Sequence, residues 1–241
     1  MKKYYLIYVS LLLSATSLLA QRPINDPDIE VRNVSGFHAI KVSSGIELLL
    51  TQSNTEAVAV SAAREKDRNR IKTYVENGVL KIYYDNIIWK LWQVYNGRKL
   101  RAYVSVINID NIDISSGARV QVEGSLSSDK LGIDASGGSV FRGQVVTGDL
   151  DVDQSSGALI TISGTAGKLY FDGSSGCVFQ GYELVADQCD IETSSGAVAQ
   201  VTVNKEISAA ASSGGLVSYK GAASIRRNKT SSGGNIIKKG K

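Results

Sequence analysis

The sequence predicts an all-β chain whose larger part winds as a parallel β-helix, a solenoid with coils of about 19 residues. Three observations predict it. First, a Ser-Ser-Gly triplet recurs as Ser115-Ser116-Gly117, Ser136-Gly137-Gly138, Ser155-Ser156-Gly157, Ser174-Ser175-Gly176, Ser194-Ser195-Gly196, Ser212-Ser213-Gly214 and Ser231-Ser232-Gly233, with glycine-to-glycine steps of 21, 19, 19, 20, 18 and 19. Second, aligning on that glycine produces apolar columns that alternate with polar positions, the mark of strands with one buried face. Third, 24 glycines against only two prolines suit many tight turns between strands. A unit this short cannot hold a strand and a crossover helix, and a propeller blade needs about twice the period. One turn of a solenoid fits, with like residues stacked from coil to coil.

From the N-terminus, Lys2 and Lys3 precede an apolar run from Tyr4 to Leu13 and small residues up to Ala20, the pattern of a secretory signal peptide. The run falls short of the ~20 residues that span a bilayer. Residues 1–20 are therefore expected as a cleaved leader, 21–30 as a short linker, 31–100 as an N-terminal β region with a hairpin and a capping insertion, and 101–241 as the repeat, continuous with it. Gln21, not a cysteine, stands directly after the expected cleavage site, so a lipoprotein anchor is not expected. The formal charge of +4 falls to +2 without the two leader lysines. The basic residues near the end, from Arg226 to Lys229 and from Lys238 to Lys241, read as a solvated end cap and not as a nucleic-acid surface.

In the N-terminal region, Phe37 to Val42 leads as a strand into a first corner, Ser43-Ser44-Gly45. Glu47 to Gln52 and Ala57 to Ser61 follow as strands, and Arg64 to Arg70 is a charged crossover. Ile71 to Val75 and Val79 to Tyr84 form a hairpin, since Asn77-Gly78 favours a type I′ turn. Each repeat then holds two short strands. The inward columns are Val120, Phe141, Ile160, Phe179, Ala199, Val217 and Ile236 after the corner, and Ile112, Ile133, Val152, Phe171, Ile191 and Ala209 before it. The corner glycines Gly45, Gly117, Gly138, Gly157, Gly176, Gly196, Gly214 and Gly233 supply the positive φ of a sharp turn. The serine hydroxyls are expected to satisfy backbone groups there. A second turn carries Gly124, Gly143, Gly164, Gly181 and Gly221.

Phe37 to Ile46, Ile71 to Tyr84 and the serial corners together resemble the putative auto-transporter adhesin, head GIN domain family, of unknown function and common in Bacteroidetes-type bacteria. The resemblance runs from about Val31 to Lys241. It implies a right-handed parallel β-helix and an envelope or secreted location, and it brings no catalytic motif.

Chemistry is sparse. His38 is the only histidine, in a strand with no G-x-S-x-G pattern nearby, so a hydrogen-bonded strand residue is expected. Cys177 and Cys189 fall in inward columns; export permits a disulfide between them, but two buried free thiols need no special role there and are the preferred reading. Four places before the corner glycine stand Asp113, Asp134, Asp153, Asp172 and Glu192, then Ala210 and Lys229. This outward column admits a solvated acidic face or a ladder of carboxylates holding Ca²⁺. The nonapeptide Ca²⁺ repeat is absent, so no cofactor is expected. Trp89, Trp92 and Tyr95 form an aromatic patch suited to stacking on sugars or a protein, or to capping the solenoid. The expectation is a non-enzymatic envelope or secreted module that binds a glycan or surface protein. A polysaccharide-active enzyme on the same scaffold is the alternative, which needs carboxylates converging in one groove.

Overall fold

The structure is a computed structural model and describes residues 26, 28–85 and 97–240. The expected leader and the aromatic patch of Trp89, Trp92 and Tyr95 lie outside the described residues. The strands are β1 (Glu30–Arg32), β2 (Ala39–Val42), β3 (Glu47–Gln52), β4 (Ala57–Ser61), β5 (Ile71–Glu76), β6 (Val79–Tyr84), β7 (Arg101–Val106), β8 (Asn111–Ile114), β9 (Arg119–Ala135), β10 (Val140–Gln154), β11 (Leu159–Gly173), β12 (Val178–Thr193), β13 (Val198–Ala211), β14 (Leu216–Lys220), β15 (Ser224–Thr230) and β16 (Asn235–Lys238). One short helix, α1 (Glu65–Arg68), lies in the charged crossover. The result is a β-solenoid of about seven turns.

Every repeat strand pairs in parallel with the equivalent strand of the next coil, Phe141 beside Ile160 and Phe179, Val152 beside Phe171 and Ile191. The inward columns are buried as their alternation predicts, except that Ile236 in the last coil is half-buried. One expectation is corrected. The coils of β9 to β13 are not pairs of short strands but single strands of 14 to 17 residues that bend without losing their partners. The second-turn glycines explain how. Gly124, Gly164 and Gly221 take positive φ and turn the backbone. Gly143 and Gly181 do not; a Cβ on Gly143 would strike the Val122 side chain and crowd the Phe141 ring, and one on Gly181 would strike the Phe179 ring, so both glycines make room for core side chains.

The Ser-Ser-Gly corner is also built differently from the expectation. Both its second and third residues take positive φ, as at Ser175 (53°) and Gly176 (69°). That is the backbone of a type I′ turn, and it is closed by main-chain bonds such as Ala158 N to Ser155 O at 3.1 Å. The glycine N–H then donates to the next coil, Gly157 N to Ser175 O at 3.1 Å and Gly176 N to Ser195 O at 3.0 Å. The hydroxyls bond only each other, at Ser43–Ser44 and Ser155–Ser156. Inside each corner the next residue must be small, and Ala118, Ser139, Ala158, Cys177 and Ala197 are fully buried there.

The first coils are not wound in chain order. β2 and β3 already make one complete coil around Ser43-Ser44-Gly45, below β8 and the start of β9. The chain then doubles back: β6 pairs with β2, β7 with β3, and antiparallel β4, β5 and β1 cover the outside. Asp26 and residues 28–32, expected within or beside a linker, are pinned to this end. Asp26 accepts hydrogen bonds from Ser61 (2.6 Å) and Tyr103 (2.8 Å), and Glu30 meets Arg68 at 3.0 Å.

Candidate binding surface

Each coil presents a strand entering the corner and a strand leaving it, and stacking turns these into two flat faces of opposite chemistry. The entering face carries the acidic column. Strand register sets Asp113 beside Asp134, Asp134 beside Asp153, Asp153 beside Asp172 and Asp172 beside Glu192. Lys41 sits beside Asp113 and pairs with it, and Arg227 reaches Glu192 at 3.4 Å, so cations flank the run. In the middle, among the described residues, no cation pairs with Asp134, Asp153 or Asp172, and Asn111 Nδ2 donates to Asp134 at 3.1 Å. Partial burial, then the charges of Asp134, Asp151 and Asp172, push the Asp153 carboxyl above its ordinary range. The column is a ladder of one acid per coil, and among the described residues no three His, Cys, Asp or Glu side chains gather into a metal-holding group.

The leaving face was not singled out by the sequence reading, which sought apolar residues only in inward columns. Two places after the corner glycine in five successive coils, pointing outward, stand Val140, Leu159, Val178, Val198 and Leu216, all half-buried. Two places further stand Gln121, Arg142, Thr161, Gln180, Gln200 and Ser218, joined in register from coil to coil. All of these but the buried Ser218 line a shallow groove of about 540 Å³. Tyr182 walls its end, donating to Ser218 Oγ at 2.8 Å, with Lys220 Nζ at 4.4 Å from its ring centroid. The signal was in the sequence as two further columns, but an outward aliphatic row breaks the simple in-out alternation that made the others visible.

A second groove of about 620 Å³ runs past Asp110, Ser128, Lys130 and Thr147. At its margin His38 Nδ1 lies 2.7 Å from Asp110 Oδ2, both side chains more than half exposed. The ring rests on Gly78, where a Cβ would collide with it, so that glycine serves both the I′ turn and the histidine. The described residues place no serine hydroxyl in hydrogen-bond contact with His38. Of the two alternatives for the cysteines, the structure has the free thiols: Cys177 and Cys189 are both buried and unbonded. Cys177 lines the inside of a corner while Cys189 stands in the ladder between Leu169 and Ile207, at another part of the coil. Burial pushes the Cys177 thiol up to about 11, and that of Cys189 further.

A parallel β-solenoid whose outer faces are continuous side-chain ladders, with shallow grooves and no convergent catalytic set among the described residues, defines a surface-presenting repeat protein. The chain belongs to the family described as putative auto-transporter adhesin, head GIN domain, which matches residues 36–223. Similar solved structures are a putative adhesin from Bacteroides fragilis (19% identity, 88% of this chain and 97% of that one, TM-score 0.77) and a putative adhesin from Parabacteroides merdae (14%, 89% and 97%, 0.68). A putative lipid binding protein from Parabacteroides distasonis is also similar (16%, 89% and 98%, 0.62). At these identities they share the fold. Among curated proteins the chain has no match. The family description suggests adhesion at a surface, and no described helix is long and apolar enough to cross a membrane.

Proposed function

We propose that this chain is a non-enzymatic, exported module of the cell envelope that binds a glycan or a surface protein, serving adhesion or scaffolding. The observation that carries the reading is the distribution of the polar groups. Carboxylates are spaced one per coil along a flat face instead of converging across a cleft, so no acid and base pair is positioned over one bond. Repetition multiplies weak contacts along an extended partner, which suits avidity more than turnover. The leader-like N-terminus supports export, and the family supports a surface role.

The test displays the protein on beads and measures retention on a glycan array and on bacterial surfaces, alongside a turnover screen on soluble polysaccharides. Binding without new reducing or unsaturated ends is the expected result. Release of such ends, abolished by Asp110→Asn or His38→Ala, would move the assignment to the enzyme, because that pair borders a groove.

A further inference from the structure

We infer that the leaving face is the binding site, and that its ligand is an uncharged glycan chain laid across the coils. This rests on the surface-binding reading above. The aliphatic row from Val140 to Leu216 and the polar row from Arg142 to Ser218 run side by side over the same five coils. At about 4.8 Å per coil they extend about 19 Å. A sugar chain has the matching duality, with hydroxyls at its rim and C–H groups on its ring faces. The amides and hydroxyls of the polar row both donate and accept, so they pair with hydroxyls in either sense.

The donors are ready for it. Thr161 Oγ1 donates to Gln180 Oε1 at 2.9 Å, which orients that amide, and among the described residues the Gln180 NH₂, the Gln200 amide and the Arg142 guanidinium have no protein partner. Charge points the same way. The two rows contain one charged residue, Arg142, whereas the entering face is acidic throughout its middle. Arg142 and Glu183 line the groove and Lys220 lies against Tyr182, so the leaving face offers an ionic ligand isolated charges of both signs and no run of one sign.

A polypeptide fits less well. Docking by strand addition needs a free sheet edge, and β10, β11 and β12 are each paired on both sides. Anchoring by a large side chain needs a deep apolar pocket, whereas the aliphatic row is a half-buried stripe and the groove beside it, along the polar row, is shallow.

The experiment titrates the full chain calorimetrically with neutral oligosaccharides of mannan, dextran, β-glucan and chitin, with an acidic polygalacturonate series in parallel. At least one neutral series binds, with an affinity unchanged between low and high salt. Gln180→Ala with Gln200→Ala weakens it by about tenfold or more, the scale of a lost hydrogen-bonded amide. Val178→Glu abolishes it, and Asp153→Asn with Asp172→Asn leaves it unchanged. Melting temperatures check folding, and Arg142→Ala alone serves if the double variant unfolds. Binding confined to the acidic series, or neutral binding that survives the leaving-face variants, overturns the inference. If no glycan binds while beads still adhere to bacterial surfaces, the glycan assignment fails and the surface-binding reading stands. If neither occurs, both fail.

Discussion

The regular coils and the N-terminal end solve the same problem by different means. From β9 to β13 each coil is held by its neighbours: stacked apolar columns, continuous parallel ladders and a corner bond handed from one glycine to the next carbonyl. At the N-terminal end no further parallel coil stacks among the described residues, and specific polar pairs take over. Asp67, buried, accepts from Arg64 at 2.6 Å and Tyr84 OH at 2.9 Å, and the Tyr84 ring carries the guanidinium groups of Arg70 and Arg98 at 5.0 and 5.1 Å. Repetition makes stability a sum of like interfaces; termination concentrates it in a few groups that cannot be exchanged.

The largest test of that contrast removes a core ring. Phe179 is fully buried and packs on Phe171 with centroids 4.8 Å apart. Phe179→Ala is expected to cost about 3–5 kcal/mol in urea denaturation, and its loss spreads to the coils on either side. Asp67→Ala comes next, at about 2–3 kcal/mol, because it leaves Tyr84 OH and Arg64 without their buried acceptor. Hydrogen exchange separates the two: the second change opens β5 and β6 while β10 to β12 stay protected.

Acid sharpens the comparison. The hydrogen bond from Ser61 leads in holding Asp26 below its ordinary value. Burial pushes Asp67 up, but its bonds and the charges of Arg64 and Arg98 outweigh that and leave it lowered too. Both contribute stability above the unfolded carboxyl pKa that is lost as pH falls through the folded values. Asp153 has the opposite sign. Its penalty is present at neutral pH and is relieved as pH falls through its raised value. The N-terminal end is therefore expected to open first on acidification, read by hydrogen exchange. Asp153→Asn should stabilise the neutral protein by about 0.5 kcal/mol, the scale of one like-charge pair across strands, with the gain fading in acid. The smallest effect is expected at the corner: Ser175→Asn stabilises by a few tenths of a kcal/mol, since asparagine tolerates positive φ better than serine, a shift measured by calorimetric melting.

The parts legible in the sequence were those the coil repeats. The period, the inward columns, the acid ladder and the Asn77-Gly78 hairpin all follow from spacing, because a solenoid writes one pattern many times. What escaped was set by three-dimensional neighbours. That β3 lies between β7 and β9 is a matter of which strand covers which end, and no local pattern encodes it. The positive φ of Ser175 is imposed by the turn and the coil beside it, against the residue's own preference. The leaving face was hidden because its row of Val140, Leu159 and Val178 is apolar yet outward, and only stacking on like neighbours half-buries it.

The doubled-back winding of the first coils has a consequence for length. Adding one unit of about 19 residues between Gly157 and Gly176 would insert a floor in the tower, about 4.8 Å high, and every other pairing would keep its partner. No such floor can be slipped in between β3 and β7, where storeys adjacent in space are distant along the chain. The molecule is a ruler fixed at its N-terminal end and extensible from there on, with both faces growing together by one rung at a time.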